Sequence, residues 1–210
     1  MLTLMILGSL SLVSCIKSIE KPAPKGWYRA GGRPSNYEMN IDKRVKHGGK
    51  ASAYIKLVRE KYKDDEFKNL GGFGTLMQTF MADEYRGKRV RMSAWMKSKN
   101  VDSANLWMRL DAERRTSGFD NMRDRSVKGT TGWKKYEVVL DVTEDTLYIA
   151  FGGFVSGKGE AWIDDFIFEE VSKDVPTTNI MPPQKPDGDR IMQTLYECPK
   201  QPLNLNFEEE

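Results

Sequence analysis

At 210 residues the chain suits one ordinary domain with tails, and it can bury a core without disulfide or metal staples. Its 33 Lys and Arg against 30 Asp and Glu leave a net charge of only +3. The basic runs (residues 86–91, Arg114-Arg115, and Arg123 with Arg125) are interleaved with acids, so they read as solvated surface and nucleic acid is not an expected partner.

The chain opens on MLTLMILGSLSLVSC, residues 1–15, its one long apolar stretch. A membrane-spanning helix needs about 20 apolar residues, so this stretch is short for that role and fits the apolar region of a signal peptide. Leu12-Val13-Ser14-Cys15 resembles a bacterial lipobox, whose cysteine is lipidated and becomes the new N-terminus. On that reading residues 1–15 are a lipoprotein signal peptide. The protein is exported and held at the bacterial cell envelope, at the outer membrane, by the lipid on Cys15 alone. No Lys or Arg precedes the apolar run, and a buried strand or core helix is the competing reading. Residues 16–25 then form a tether stiffened by Pro22 and Pro24. Cys198 is left as a lone thiol, so stability rests on packing.

Short apolar–polar runs follow, separated by Gly, Asn and Asp. Residues 51–58, 74–82, 88–98, 104–112, 133–142, 146–155 and 160–171 are each of strand length and rich in aromatic and β-branched side chains. Residues 64–70 offer at most one short helical turn. Regular short strands between turn formers predict an all-β sandwich. Residues 26–171 form the sandwich, and the proline-rich residues 172–203 make an extended excursion over its surface.

HGGKASAYIK (47–56), YRGKRVRMSAWMKS (85–98) and GKGEAWIDDFIFEEV (157–171) together resemble the galactose-binding-like jelly roll, and more narrowly the carbohydrate-binding modules of families four, nine and twenty-two, which implies a jelly-roll β-sandwich of two antiparallel sheets. HGGKASAYIK, residues 47–56, is similar to their early Gly-Lys-x-Ser turn and strand. YRGKRVRMSAWMKS, residues 85–98, is similar to their central strand, and GKGEAWIDDFIFEEV, residues 157–171, to their last one. Residues 106–111 and 119–142 also resemble a ligand-type domain that is attached to bacterial regulators and found in uncharacterised secreted proteins. The resemblance implies a non-catalytic module that binds a glycan or glycoconjugate. An envelope protein-interaction or structural module of the same fold is the alternative, with a protein as its partner.

Such modules begin with a strand of the form Asn-x-x-Phe-Glu before a Gly-Trp pair. Here Gly26-Trp27 is present, and the strand-like signature stands at the other end, as Asn204-Leu205-Asn206-Phe207-Glu208. Residues 204–210 are therefore expected to close the same domain in place of its first strand. That would put Leu205 and Phe207 in the core and Glu208 beside Lys50. A truncated second module and a frayed tail are the alternatives. Strict alternation along residues 161–168 puts Trp162, Asp164, Phe166 and Phe168 on the core face. An inward Asp164 needs a partner. The resemblance supplies a structural calcium there, with Asp164, Glu208 and the Lys50 carbonyl as ligands. Capping by backbone N–H groups or an Arg is the other solution.

For the ligand, alternation separates Leu106, Met108 and Leu110 from Asn105, Trp107, Arg109 and Asp111. The second set puts an aromatic beside a guanidinium and a carboxylate, which suits a sugar: the ring stacks and the polar groups bond hydroxyls. Trp95 and Gln78 are added from neighbouring strands. Asp120, Asn121 and Arg125 come from the flanking loop 118–125. A second small core around Trp107, with Arg109–Asp111 and Arg125–Asp120 as plain ion pairs, competes with this reading. No phosphate loop, serine elbow or paired Cys/His signature occurs, and the single His47 sits in a glycine turn, so no enzyme is expected.

Overall fold

The computed structural model describes residues 23–58, 72–179, 181 and 198–209. The expectations for the leader, Cys15, most of the tether, the helical turn at 64–70 and most of the proline-rich excursion lie outside those residues. Among the described residues nine strands form: β1 (Tyr28–Ala30), β2 (Tyr37–Asp42), β3 (Ser52–Leu57), β4 (Phe73–Met81), β5 (Arg89–Ala112), β6 (Arg115–Asp120), β7 (Val127–Asp141), β8 (Thr146–Ser156) and β9 (Glu160–Val171). Every pairing is antiparallel. Among the described residues no helix is long and apolar enough to cross a membrane.

The architecture is the jelly-roll sandwich, and β5 is its spine. Two stretches that read as separate strands are one 24-residue strand. Residues 89–99 lie between β7 and β9, while residues 103–112 lie between β8 and β6. One sheet therefore runs β2-β3-β9-β5-β7 and the other β1-β4-β8-β5-β6. Irregularities between Met96 and Ala104 turn the strand from one sheet into the other, as an extra residue in a ladder does.

The core fills the space between the sheets. Met92, Ala94 and Met96 from the first half of β5 meet Leu106, Met108 and Leu110 from the second, all fully buried. Phe151 of β8 sits at the centre of an aromatic cluster with Trp27, Phe80, Phe166 and Phe168, at centroid distances of 4.7–5.8 Å. Edge contacts of this kind add to the burial of each ring.

Strict alternation fails along β9. Ile163 pairs with Met96 and Ala53 and is core, while Trp162 is on the other face with its indole N–H donated to Asp42 Oδ2 at 2.9 Å. Asp165 has φ +51°, and the register with β5 shifts at this point, so a bulge restores Phe166 and Phe168 to the core. Asp164 thus stands opposite Trp95 on the outer face, beneath the turn at His47-Gly48, and not in the core as expected.

The C-terminal residues take the expected place but not the expected form. Phe207 is 1% exposed, and its ring lies 4.7 Å from Trp27 and 6.2 Å from Phe166. Leu205 packs against the same core, and its carbonyl accepts the Phe166 N–H at 3.0 Å. Gln78 clamps Leu203 through both ends of its amide, at 2.5 and 3.0 Å. Glu208 Oε1 accepts the Lys50 N–H at 2.6 Å. A Cβ at Gly49 would come within 2.1 Å of that oxygen, and Gly49 has φ +51°, so this turn requires glycine twice over. Residues 198–209 nevertheless form no strand. Asn204 and Phe207 have φ of +47° and +56°, which no extended ladder accommodates. The segment closes the sandwich by side-chain anchoring and isolated hydrogen bonds.

Phe207→Ala is expected to lower unfolding stability by about 3–5 kcal/mol, the usual cost of emptying a buried aromatic site. Urea unfolding checks this. A loss below about 1 kcal/mol would show that the closing residues are peripheral to the core.

Candidate functional site

The face of the β1-β4-β8-β5-β6 sheet turned away from the core carries a cleft of about 520 Å³. Register decides which side chains reach it. Trp107 pairs with Gly152, and Gly152 with Met77, while Arg109 pairs with Ala150 and with Phe119. Met77, Trp107 and Ala150 form a small apolar cluster as the floor, with Ala30, Phe119 and Phe154 packed against it. Phe73, Thr75, Arg109, Asn121 and Ser156 complete the lining.

Trp107 lies across the sheet. Its Nε1–H donates to Thr75 Oγ1 on β4 at 2.9 Å, with β8 in between. Neighbouring strands are about 4.8 Å apart, so the indole has to span two of those steps. Gly152 leaves the crossing without a side chain, and none would fit, because a Cβ there would lie 2.1 Å from the Leu76 carbonyl oxygen. The Thr75 hydroxyl donates in turn to the Gly153 carbonyl at 2.8 Å. The indole is therefore locked by a hydroxyl engaged as both acceptor and donor, and it is 8% exposed. A flat, fixed aromatic floor is a preorganised stacking platform.

Arg109 stands two residues from Trp107 on the same face. Its Nε–H donates to Asp111 at 2.9 Å, and Asp111 is 2% exposed, so the carboxylate orients the guanidinium from below. Tyr28 and Thr79 join hydroxyls at 2.7 Å at one side of this face. Burial is the main influence on the Tyr28 phenol and raises it above its ordinary range. At the other side Asn105 donates to the Asn121 carbonyl at 2.7 Å and so fixes the loop after β6.

The structure brings together Trp107, Arg109, Asp111 and Asn121 and separates the other four expected residues. Gln78 points to the core side and is spent on Leu203. Asp120 is fully buried on the opposite face of β6 from Phe119, paired with Arg125 and accepting the Met122 N–H at 2.7 Å. Arg125 is consumed by Asp120, by Asp124 and by the Glu137 carbonyl. Trp95 lies on the outer face of the other sheet, stacked on His47 at 4.0 Å with Trp133 edge-on to that imidazole at 5.7 Å. It shares parity with Trp107 in sequence, but the irregular turn of β5 sends the two indoles to opposite outer faces. The residues missed were Phe73, Thr75, Met77, Phe119 and Phe154. Alternation along β4 carried the signal for Thr75 and Met77, since both oppose the core residues Leu76 and Phe80.

At the closing corner Asp164 Oδ2 accepts the N–H groups of His47 and Gly48 at 2.9 and 3.2 Å, and Oδ1 accepts that of Asp165 at 2.9 Å. Burial pushes the Asp164 carboxyl up, against the N–H groups that favour its ionised form. Asp165 meanwhile takes the His47 ring nitrogen at 2.8 Å. Asp164 and Glu208 thus reach the same turn from two directions, each with acceptor capacity beyond its N–H contacts. Among the described residues no group of three or more His, Cys, Asp or Glu side chains gathers as a metal site. The corner fits a hard, oxygen-ligated cation only with backbone carbonyls such as that of Lys50 in the set.

No family model matches the sequence. An uncharacterised HTH-type transcriptional regulator, YbfP of Bacillus subtilis (strain 168), is 43% identical over 188 residues, which are 89% of this chain and 57% of the relative. The chain thus spans a little over half the length of that relative. The enzymatically active domain of tailspike protein 4 of bacteriophage CBA120 superimposes with a TM-score of 0.51 at 13% identity, over 70% of this chain and 20% of the phage chain. The CBM22-1 xylan-binding domain of Paenibacillus barcinonensis Xyn10C gives a TM-score of 0.46 at 15% identity, over 73% of this chain and 90% of that domain. At such identities the structural likeness is one of fold, the jelly-roll sandwich to which this chain is similar.

Proposed function

We propose that the protein binds carbohydrate without transforming it, in the cleft on the β1-β4-β8-β5-β6 sheet. The observation that carries this is the Trp107 indole laid flat as a floor and locked by Thr75, inside a concavity of about 520 Å³. Ligand sites of about 300–1,000 Å³ with an apolar floor and a few placed polar groups are the usual form for small molecules. A pyranose lays its C–H face on such a ring. Phe119 and Phe154 close on its sides, and Arg109 and Asn121 address its polar edge. Asp111 acts through Arg109 as a positioning residue.

The setting of the module is part of the proposal. The lipobox-like residues 12–15 support an exported protein anchored to the envelope by lipid on Cys15. The similarity to YbfP supports a second reading, in which the same cleft is the ligand-sensing part of a regulator-like protein. A cleft that holds a sugar serves either setting, because the fold presents the site and does not fix what is done with the bound state. Calcium at the Asp164–Glu208 corner also belongs to this proposal. Bound there, it would neutralise two carboxylates and pin the closing segment to the turn at 47–50.

Three measurements test these points. In titration against a broad glycan panel, Trp107→Ala is expected to abolish binding, a loss of at least tenfold in affinity; no binding by the wild-type protein would remove the reading. Metabolic labelling with a fatty acid is expected to mark the wild-type protein and not Cys15→Ser; an unlabelled, cytosolic product favours the sensing reading. Calcium at a hundredfold excess over its Kd is expected to raise unfolding stability by about 2.7 kcal/mol, reversed by chelator. An unchanged melting temperature leaves the backbone N–H groups as the carboxylates' partners.

A further inference from the structure

Most of the polar groups in the cleft are spent on the protein itself, and the charged donors left over belong to Arg109. Thr75 is engaged by the Trp107 Nε1–H and the Gly153 carbonyl. Ser156 donates to the Gly72 carbonyl at 3.3 Å, and Asn121 Oδ1 accepts the Arg123 N–H at 3.3 Å. Asp111 is buried behind Arg109 and shared with Thr116 at 3.5 Å. This leaves the two Nη groups of Arg109 and the Nδ2 group of Asn121 as donors without partners among the described residues, and only the neutral lone pairs of Ser156 Oγ and Asn121 Oδ1 as acceptors. Among the described residues Arg109 is also the one charged residue in the lining.

A neutral sugar presents hydroxyls, each of which wants an acceptor as well as a donor. A carboxylate only accepts, and the paired Nη edge of a guanidinium matches its two oxygens. The placement suits it as well. Arg109 is two residues beyond Trp107 on the same face, about 7 Å along the strand, within reach of a substituent on the edge of a ring stacked on the indole. Asp111 holds the Nε edge and turns the Nη edge outward. We infer that the cleft selects an acidic sugar, a uronic acid whose ring lies on Trp107 and whose carboxylate takes the Arg109 fork. This rests on the carbohydrate reading above and narrows its substrate class.

The test is calorimetric titration of the full chain with uronic-acid oligosaccharides, each paired with its carboxyl-reduced neutral counterpart and a sulfated neutral analogue. The acid is expected to bind at least tenfold tighter than both, with affinity falling as salt rises. Arg109→Gln leaves Asp111 unpaired, so the double variant R109Q/D111N, which replaces the ion pair by a neutral amide pair, is measured beside it. Both are expected to abolish the preference, lowering the affinity for the acid at least tenfold more than that for its neutral counterpart. Trp107→Ala is expected to abolish both. Equal wild-type affinity for acid and neutral sugar, stronger binding of the sulfated analogue, or an equal loss for both sugars in R109Q/D111N overturns the carboxylate assignment and leaves carbohydrate binding standing. Failure of every sugar to bind the wild-type protein overturns both.

Discussion

The fold depends on one strand serving two sheets. β5 gives Met92, Ala94 and Met96 to the core from one sheet and Leu106, Met108 and Leu110 from the other, and both halves are flanked by partners on each side. The bend between Met96 and Ala104 makes this possible, because the irregular residues there carry the strand from one sheet to the other while the same alternation faces the core in both. The same bend places the outward-facing indoles. Trp107 and Arg109 look out from one sheet over a cleft, and Trp95 looks out from the other onto His47.

A second irregularity, at Asp165, ties the closing segment to this frame. The bulge returns Phe166 to the core, and its N–H binds the Leu205 carbonyl while its ring meets those of Trp27 and Phe207. The chain ends of the sandwich thereby meet in one aromatic cluster. An open edge is costly to leave exposed, and here it is covered by a segment that contributes two apolar anchors and one carboxylate without a ladder. The left-handed residues Asn204 and Phe207 turn the backbone between those anchors.

The cleft follows from the spacing of small and large residues across three strands. Gly152 lets the two neighbouring strands be bridged by one indole, and Thr75 receives it. A Cβ on β8 at that point would meet the β4 backbone, 2.1 Å from the Leu76 carbonyl oxygen. Little polarity remains above the floor, and Arg109 supplies its charge.

The all-β class, six of the nine described strands, the core role of Leu106, Met108 and Leu110, and the pairing of Trp107 with Arg109 on one face were legible in the sequence. They depend on a period of two, which is local. The burial of Phe207 and the approach of Glu208 to the turn at Lys50 were legible through resemblance, although the closing segment is no strand. What the sequence left open depends on register between distant strands and on single extra residues. A one-residue shift exchanges the faces of everything beyond it. In β9 such a shift placed Ile163 inside and Asp164 outside. The passage of β5 between the sheets parted Trp95 from Trp107, and Gln78 and Asp120 are spent on structural contacts. Local alternation is written in neighbouring residues, so wherever no bulge intervenes the sequence alone determined which side chains share a face. Only the tertiary structure decided which face lines the cleft, because that choice belongs to strand partners far apart along the chain.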